Sequence, residues 1–227
     1  MSYKNRKIIA LIPARGGSKR IPGKNIKPMA GKPLLYWAVK AVKGSKYIDD
    51  VFVSTEDKKV KNIVLRLGLD IHVLDRPQEL ALDTTPEELV HIHFMEKVPF
   101  DILVIIHATH PFTTSEDLDR ALEKFEREHL DSMLTGTLNK KLYWTTEGKP
   151  LNYNPLERPR SQEWKGTITE NGAFYITRPS TLKKFKNFLG GKIGIYEMDA
   201  ETSIDIDEPS DWEEAEKLMR KEQKKHE

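Results

Sequence analysis

The sequence predicts an α/β fold, a Rossmann-like three-layer sandwich around a mostly parallel central sheet. Two observations point there. Short, largely apolar runs alternate with amphipathic segments of helical period up to about residue 139. Runs of that kind are strands buried on both faces, and alternation with helices implies parallel strands joined by right-handed crossovers. KIIALI at 7–12, ending in Pro13, is the first strand. Leu35, Ala38, Val39 and Val42 recur at helical spacing and predict a helix over 32–43. DVFVS at 50–54 is a strand, 57–67 an amphipathic helix and 69–74 a third strand. The helix over 86–97 opens with Pro86 and two glutamates, which suits a helix N-terminus. DILVIIHA at 101–108 is the most hydrophobic strand. A helix starts around Ser115, with Leu118, Leu122 and Phe125 as its apolar face, and 131–138 is another strand.

The alternation breaks over 139–170, which is rich in Pro, Asn and Arg and holds Tyr143, Trp144, Tyr153 and Trp164. Aromatics and arginines outside a core are typical of subunit interfaces. The expectation is a small β-rich dimerisation excursion from a single domain spanning 1–227; the alternative is an ordinary long loop. Regular structure returns with NGAFYIT (171–177), a helix near 179–189, a strand at 193–198 and a C-terminal helix from Pro209. The last residues, RKEQKKHE, are expected to be frayed and solvated.

Composition excludes several classes. With 227 residues, 38% of them hydrophobic, the chain can bury a substantial core. The 37 basic and 35 acidic residues leave a net charge of +2, no electrostatic footprint for a nucleic acid backbone. There is no cysteine, so disulfides, thiolate nucleophiles and zinc–thiolate sites are out. No apolar run reaches the roughly 18 residues of a membrane span, and MSYKNRK leads into the first strand without a signal-type apolar region. The reading is a soluble, cytoplasmic protein with no membrane partner.

Two segments carry chemistry. Directly after the first strand, IPARGGSKRIPGKN sets Arg15, Lys19, Arg20 and Lys24 around Gly16, Gly17 and Ser18. Small residues let backbone N–H groups approach an anion, and the cations offset the charge of a polyphosphate. This is neither the Walker pattern nor the dinucleotide fingerprint. A solvated loop is the plainer reading, but α/β sheets bind ligands at strand carboxyl ends. Near the other terminus, SIDIDEPSD places Asp205 and Asp207 two apart at the end of a strand-like run, hence on one face. Paired carboxylates suit Mg²⁺, with Mn²⁺ as a substitute. The alternative is capping of the following helix, for which Glu208, Ser210 and Asp211 fit better. Together the segments suggest nucleotidyl transfer by positioning and electrostatics.

The chain resembles the N-acylneuraminate cytidylyltransferases from about residue 8 to 215. The resemblance rests on four ordered segments: IPARGGSKRIPGKN, RPQELALDTT (76–85), PLNYNPLERPRSQEWKGTITENGAFYI (150–176) and GGKIGIYEMDAETSIDIDEPSDW (190–212). It implies transfer of CMP from CTP to an acidic nine-carbon sugar by a homodimer. Arg15, Ser18, Lys19 and Lys24 would hold the phosphates, with Ala14, Gly16, Gly17 and Asn25 around them. Arg76, Thr84 and Thr85 would meet the nucleoside, and Asp205 and Asp207 the Mg²⁺. Thr109, Arg160, Gln162, Asn171 and Tyr175 would contact the sugar, the excursion crossing to the partner's site. Arg15, Lys19 and Asp207 would be the catalytic residues. One departure stands out: the family's Gln-Pro-Thr-Ser-Pro is replaced by His107-Ala-Thr-His110-Pro, which changes two sugar-facing positions. A metal pair at His107 and His110 is disfavoured because no third ligand lies nearby. His72, His91 and His93 read as structural or exposed. Alternatives are a CMP-Kdo synthetase, another sugar nucleotidylyltransferase, or a non-catalytic CTP-binding regulatory domain.

Overall fold

The computed structural model describes residues 5–223, so the ends of MSYKNRK and RKEQKKHE lie outside the described residues. Its main sheet has seven strands: β1 (Ile8–Pro13), β4 (Asp50–Thr55), β5 (His72–Asp75), β6 (Ile102–Ile106), β7 (Ser132–Asn139), β8 (Thr167–Thr177) and β9 (Ile193–Glu197). A two-residue hairpin, β2 (Pro28–Met29) and β3 (Lys32–Pro33), stands apart. The spatial order is β5-β4-β1-β6-β8-β7-β9. β1 pairs in parallel with β4 and β6, β4 with β5, and β7 with β9; β8 runs antiparallel between β6 and β7.

Alternation along β1 builds the layers. Ile8, Ala10 and Ile12 face α1 (Leu34–Lys43), α2 (Lys58–Arg66) and α4 (Ser115–Arg127) through Val39, Val60 and Phe125. Ile9 and Leu11 face α3 (Glu87–Lys97) and α5 (Pro179–Phe185) through Phe94 and Leu182. A strand covered on both faces must be apolar at every position, the pattern its sequence shows. α4 starts on a capping box: the Thr114 hydroxyl accepts from Asp117 N–H at 3.1 Å, and the Asp117 carboxylate from Thr114 N–H at 3.0 Å.

A third apolar cluster positions the site. Trp212, Ala215 and Met219 of α6 (Pro209–Gln223) pack with Ile21, Leu34, Phe112 and Ile206. Ile21 belongs to the basic loop and Ile206 to the acidic segment, so burial of these side chains brings the two together. Each fully buried isoleucine contributes about 1.5–3 kcal/mol.

The structure differs from expectation in two places. The 139–170 stretch is only sparsely β: β7 ends at Asn139, β8 already begins at Thr167, and between them lie one antiparallel bridge, Trp144 with Pro150, and a 3₁₀ turn at Pro155–Glu157. The two long sheet strands simply overshoot the sheet, pairing Thr137 with Thr169 and Asn139 with Thr167. Second, Asp205 and Asp207 do not end a strand. One backbone bond, Ile206 N–H to Thr109 C=O at 3.0 Å, holds the segment beside β6.

Candidate active site

A cavity of about 610 Å³ opens where β1, β5 and β6 end. Each strand feeds one wall: β1 the basic loop, β5 the segment starting at Arg76, and β6 the turn from His107.

On the first wall, Arg15, Ser18, Lys19, Arg20, Lys24 and Asn25 line the cavity. Ala14 does not; it is fully buried and continues β1 by donating its N–H to Ser54 C=O at 2.9 Å. The Asn25 amide donates to Arg15 C=O at 2.9 Å and folds the loop back on itself. Gly16 gives its N–H to the Glu56 carboxylate at 2.7 Å, so that amide is already engaged. Its need for glycine is a close approach: a Cβ there would sit 2.3 Å from an Asp57 carboxylate oxygen. Gly17 is exposed with nothing within 4 Å of a would-be Cβ.

Asp83 reaches across the mouth to Arg15 at 2.8 Å and Lys19 at 2.6 Å. The Lys19 hydrogen bond, with help from Arg15, holds its carboxyl below the usual range. An intramolecular carboxylate thus lies on two cations that suit phosphate oxygens.

The acidic segment meets this loop. The Lys24 ammonium lies 2.6 Å from Ile206 C=O and 3.2 Å from an Asp207 oxygen. Arg20 lies 3.2 Å from Asp207 and 2.9 Å from Glu208. Capping falls to Asp211, which accepts from Asp207 N–H at 3.0 Å and Glu208 N–H at 2.7 Å. The Asp205 and Asp207 carboxylates are therefore free of that duty. Asp207 lines the cavity; Asp205 is exposed beside it, 3.7 Å from His110 Nδ1. Two hard oxygen donors next to a phosphate-type loop fit Mg²⁺ or Mn²⁺. Among the described residues no three His, Asp or Glu side chains converge on one point, so phosphate oxygens and water would complete the shell.

On the second wall Arg76 is buried, giving N–H groups to Ser54 C=O at 2.7 Å and to its hydroxyl at 3.2 Å. Burial lowers its pKa, opposed by Glu56 and Glu87. Leu80, Leu82 and Val90 make this wall apolar, and Thr85 also lines it. Thr84 is exposed and outside the lining.

On the third wall stand His107 and Thr109. His110 is buried behind them; burial pushes its pKa down to about 4. Asn171 and Tyr175 are not in the lining. Asn171 accepts from the Thr135 hydroxyl at 2.6 Å and donates to Ser203 at 3.0 Å. Tyr175 donates to Glu170 at 2.5 Å, and burial, then that bond, raises its pKa. Arg160 and Gln162 are exposed in the excursion and do not line this chain's own cavity. His91 is fully buried, while His72 is half exposed and stacks on Phe52.

A family model described as "Cytidylyltransferase" matches residues 9–226. This chain belongs to the cytidylyltransferase family. Among relatives, it is 35% identical to N-acylneuraminate cytidylyltransferase A of Danio rerio, over 95% of this chain and 51% of that protein. It is 30% identical to CMP-N,N'-diacetyllegionaminic acid synthase of Legionella pneumophila, over 94% of this chain and 96% of that one. The chain spans about half the length of the first curated relatives it matches. Among solved structures, a CMP:2-keto-3-deoxy-manno-octonic acid synthetase complexed with CTP aligns with a TM-score of 0.75 at 20% identity, covering 95% of this chain and 99% of that one. That likeness shows the fold.

Within this cytidylyltransferase fold the structure adds residues that sequence reading passed over. Asp83 faces Arg15 and Lys19, and Glu56 takes the Gly16 amide. Glu87 lines the cavity as the partner of His107, at 2.7 Å. In the sequence Glu87 was one of two glutamates suited to a helix start. Nothing local in the sequence separates a helix-start acid from one aimed into a cavity.

Proposed function

We propose that this chain is a divalent-metal-dependent cytidylyltransferase that transfers CMP from CTP to the anomeric hydroxyl of a sialic-acid-like nonulosonic acid. The observation that carries the reading is the meeting of the basic loop and the acidic segment, with Lys24 2.6 Å from Ile206 C=O and 3.2 Å from Asp207. One triphosphate and its metal can share both only because those elements touch.

The anomeric hydroxyl oxygen attacks the α-phosphorus and gives up its proton to water, the bond to the bridging oxygen breaks, and pyrophosphate leaves. Arg15, Lys19 and Lys24 stabilise the charge that builds on the leaving group. Asp205 and Asp207 would hold Mg²⁺, which when bound supplies Lewis-acid charge neutralisation at the phosphate oxygens. The apolar wall of Leu80, Leu82 and Val90 beside Arg76 suits a planar base. Asp83 holds Arg15 and Lys19 in place until phosphate oxygens displace it.

The protein would act as a homodimer. Leu156 is 94% exposed and Leu151 64% in the excursion, where Arg160 and Gln162 also face outward. Those two residues would serve the partner's sugar site. The relatives that support a nonulosonic acid act, by their names, on N-acylneuraminate and on a legionaminic acid.

The test is incubation with CTP, Mg²⁺ and a panel of nonulosonic acids plus Kdo, with products identified by mass. A CMP-nonulosonate is expected, and Asp207→Asn should cut its formation by about two to three orders of magnitude. Near-normal turnover in Asp207→Asn, or Kdo as the sole acceptor, would overturn the reading.

A further inference from the structure

His107 stands where both of its ring nitrogens face acceptors. Nδ1 lies 2.7 Å from the Gly172 carbonyl and Nε2 lies 2.7 Å from Glu87 Oε1. A carbonyl and a carboxylate oxygen only accept, so each nitrogen must carry a proton. The ring is then an imidazolium with no N–H left over for a ligand.

Glu87 is the mirror case. It lines the cavity, its side chain is 40% exposed, and both histidine contacts fall on Oε1, so that among the described residues no hydrogen bond reaches its second oxygen, Oε2. Buried His91, one helical turn on, has Nε2 3.5 Å from the same Oε1. The wall therefore offers a ligand one fixed anionic acceptor and no imidazole donor.

Sheet order says which half of the cavity this is. Arg76 follows edge strand β5, and the basic loop follows β1. His107 follows β6 and is tied to Gly172 of β8, on the far side of the basic loop from Arg76. A nucleotide with its base at Arg76 and its phosphates on the basic loop leaves the β6/β8 side to the second substrate.

We infer that Glu87, fixed by His107, is a specificity-determining acceptor for the sugar: Oε2 takes a hydrogen bond from a hydroxyl or acylamino N–H and turns the sugar's carboxylate away from this wall. This rests on the proposed cytidylyl transfer. Burial alone would push Glu87 up and His107 down, but their mutual hydrogen bond and charges outweigh it, with Gly172 C=O helping His107. The carboxyl is thereby lowered and the imidazole raised. Other titratable groups near the pair are Arg76 and Tyr175, toward Glu87, and Asp205 and buried His110, toward His107. A neutral side chain at position 107 would leave the carboxylate without its fixing charge.

The experiment compares wild type, Glu87→Gln and His107→Gln in the full chain, with both KM values and the ¹⁵N-imidazole spectrum of His107 followed as pH is raised. A hydrogen bond to an ionised acceptor is worth about a tenfold change or more. Glu87→Gln is expected to raise the sugar KM about tenfold and to leave the CTP KM within about twofold. His107→Gln raises the sugar KM by a smaller factor. A sugar analogue lacking the donating group is disfavoured by wild type but not by Glu87→Gln. The spectrum keeps both nitrogens protonated to a higher pH in wild type than in Glu87→Gln. An unchanged sugar KM, a change in CTP KM instead, or a His107 that loses its proton at the same pH in wild type and Glu87→Gln overturns the assignment. Failure of the broader reading looks different, since wild type then forms no CMP-sugar at all.

Discussion

Replacing Lys24 by methionine keeps the buried stem and removes only the ammonium. That group is 14% exposed on its side chain and has two partners, Ile206 C=O at 2.6 Å and Asp207 at 3.2 Å. Its removal has two separable costs. The first is structural: the buried Ile206 carbonyl loses its donor, worth about 1.5 kcal/mol. For a chain of this size that is roughly 3–6 °C in Tm. The second is catalytic: one preorganised charge is lost from the leaving pyrophosphate, worth about 3 kcal/mol by comparison with other single electrostatic donors. At about 1.36 kcal/mol per decade, kcat/KM for CTP should fall roughly 150-fold. Differential scanning calorimetry reads the first cost, and steady-state CMP-sugar formation at saturating sugar reads the second. Turnover within about threefold of wild type, with Tm lowered as expected, would show that the ammonium ties the loop to the acidic segment but never meets the triphosphate.

Other consequences follow from single contacts. Gly16→Ala drives a Cβ into Asp57, whose carboxylate caps α2 by accepting from Lys59 and Val60 N–H at 2.6 and 2.9 Å. Loss of the cap costs about 1 kcal/mol and the overlap about 1–3 more, so chemical denaturation should show clear destabilisation. Gly17→Ala has open space and should stay within about 0.5 kcal/mol of wild type, while raising the CTP KM if the exposed turn carries phosphate. The Glu87–His107 pair gives stability a pH window. The folded His107 pKa is raised from 6.5, so its contribution is complete below that value and lost as pH climbs through the folded pKa. The folded Glu87 pKa is lowered from 4.5, so its contribution is complete above that value and lost as pH falls toward the folded pKa. The Tm difference between wild type and His107→Gln should be widest between 4.5 and 6.5 and narrow on both sides. Leu151→Asp with Leu156→Asp should convert a dimer to a monomer in light scattering; an unchanged mass would place the interface elsewhere.

The layers and most of the chemistry-bearing loops are legible from residue order and periodicity. β1, β4 and β6 are buried on both faces, so their apolar runs announce them without any knowledge of partners. The basic loop was legible because its glycines and cations lie within a few residues of each other. The antiparallel course of β8 was not, since its apolar run reads the same in either direction and only pairing with β6 and β7 sets its sense. The 139–170 stretch looked β-rich from its aromatics, yet its strands are overshoots of the main sheet, a matter of register that composition does not carry. Tertiary structure alone decided the polar pairings of the site. Arg15 and Lys19 on Asp83, Lys24 on Asp207 and His107 on Glu87 are contacts between the segments after β1 and β6 and residues 20 or more positions away along the chain. Periodicity reports which face of an element is buried. A charge on an exposed loop tip has no periodicity, and its partner is fixed only when the sheet brings the strand ends to one rim.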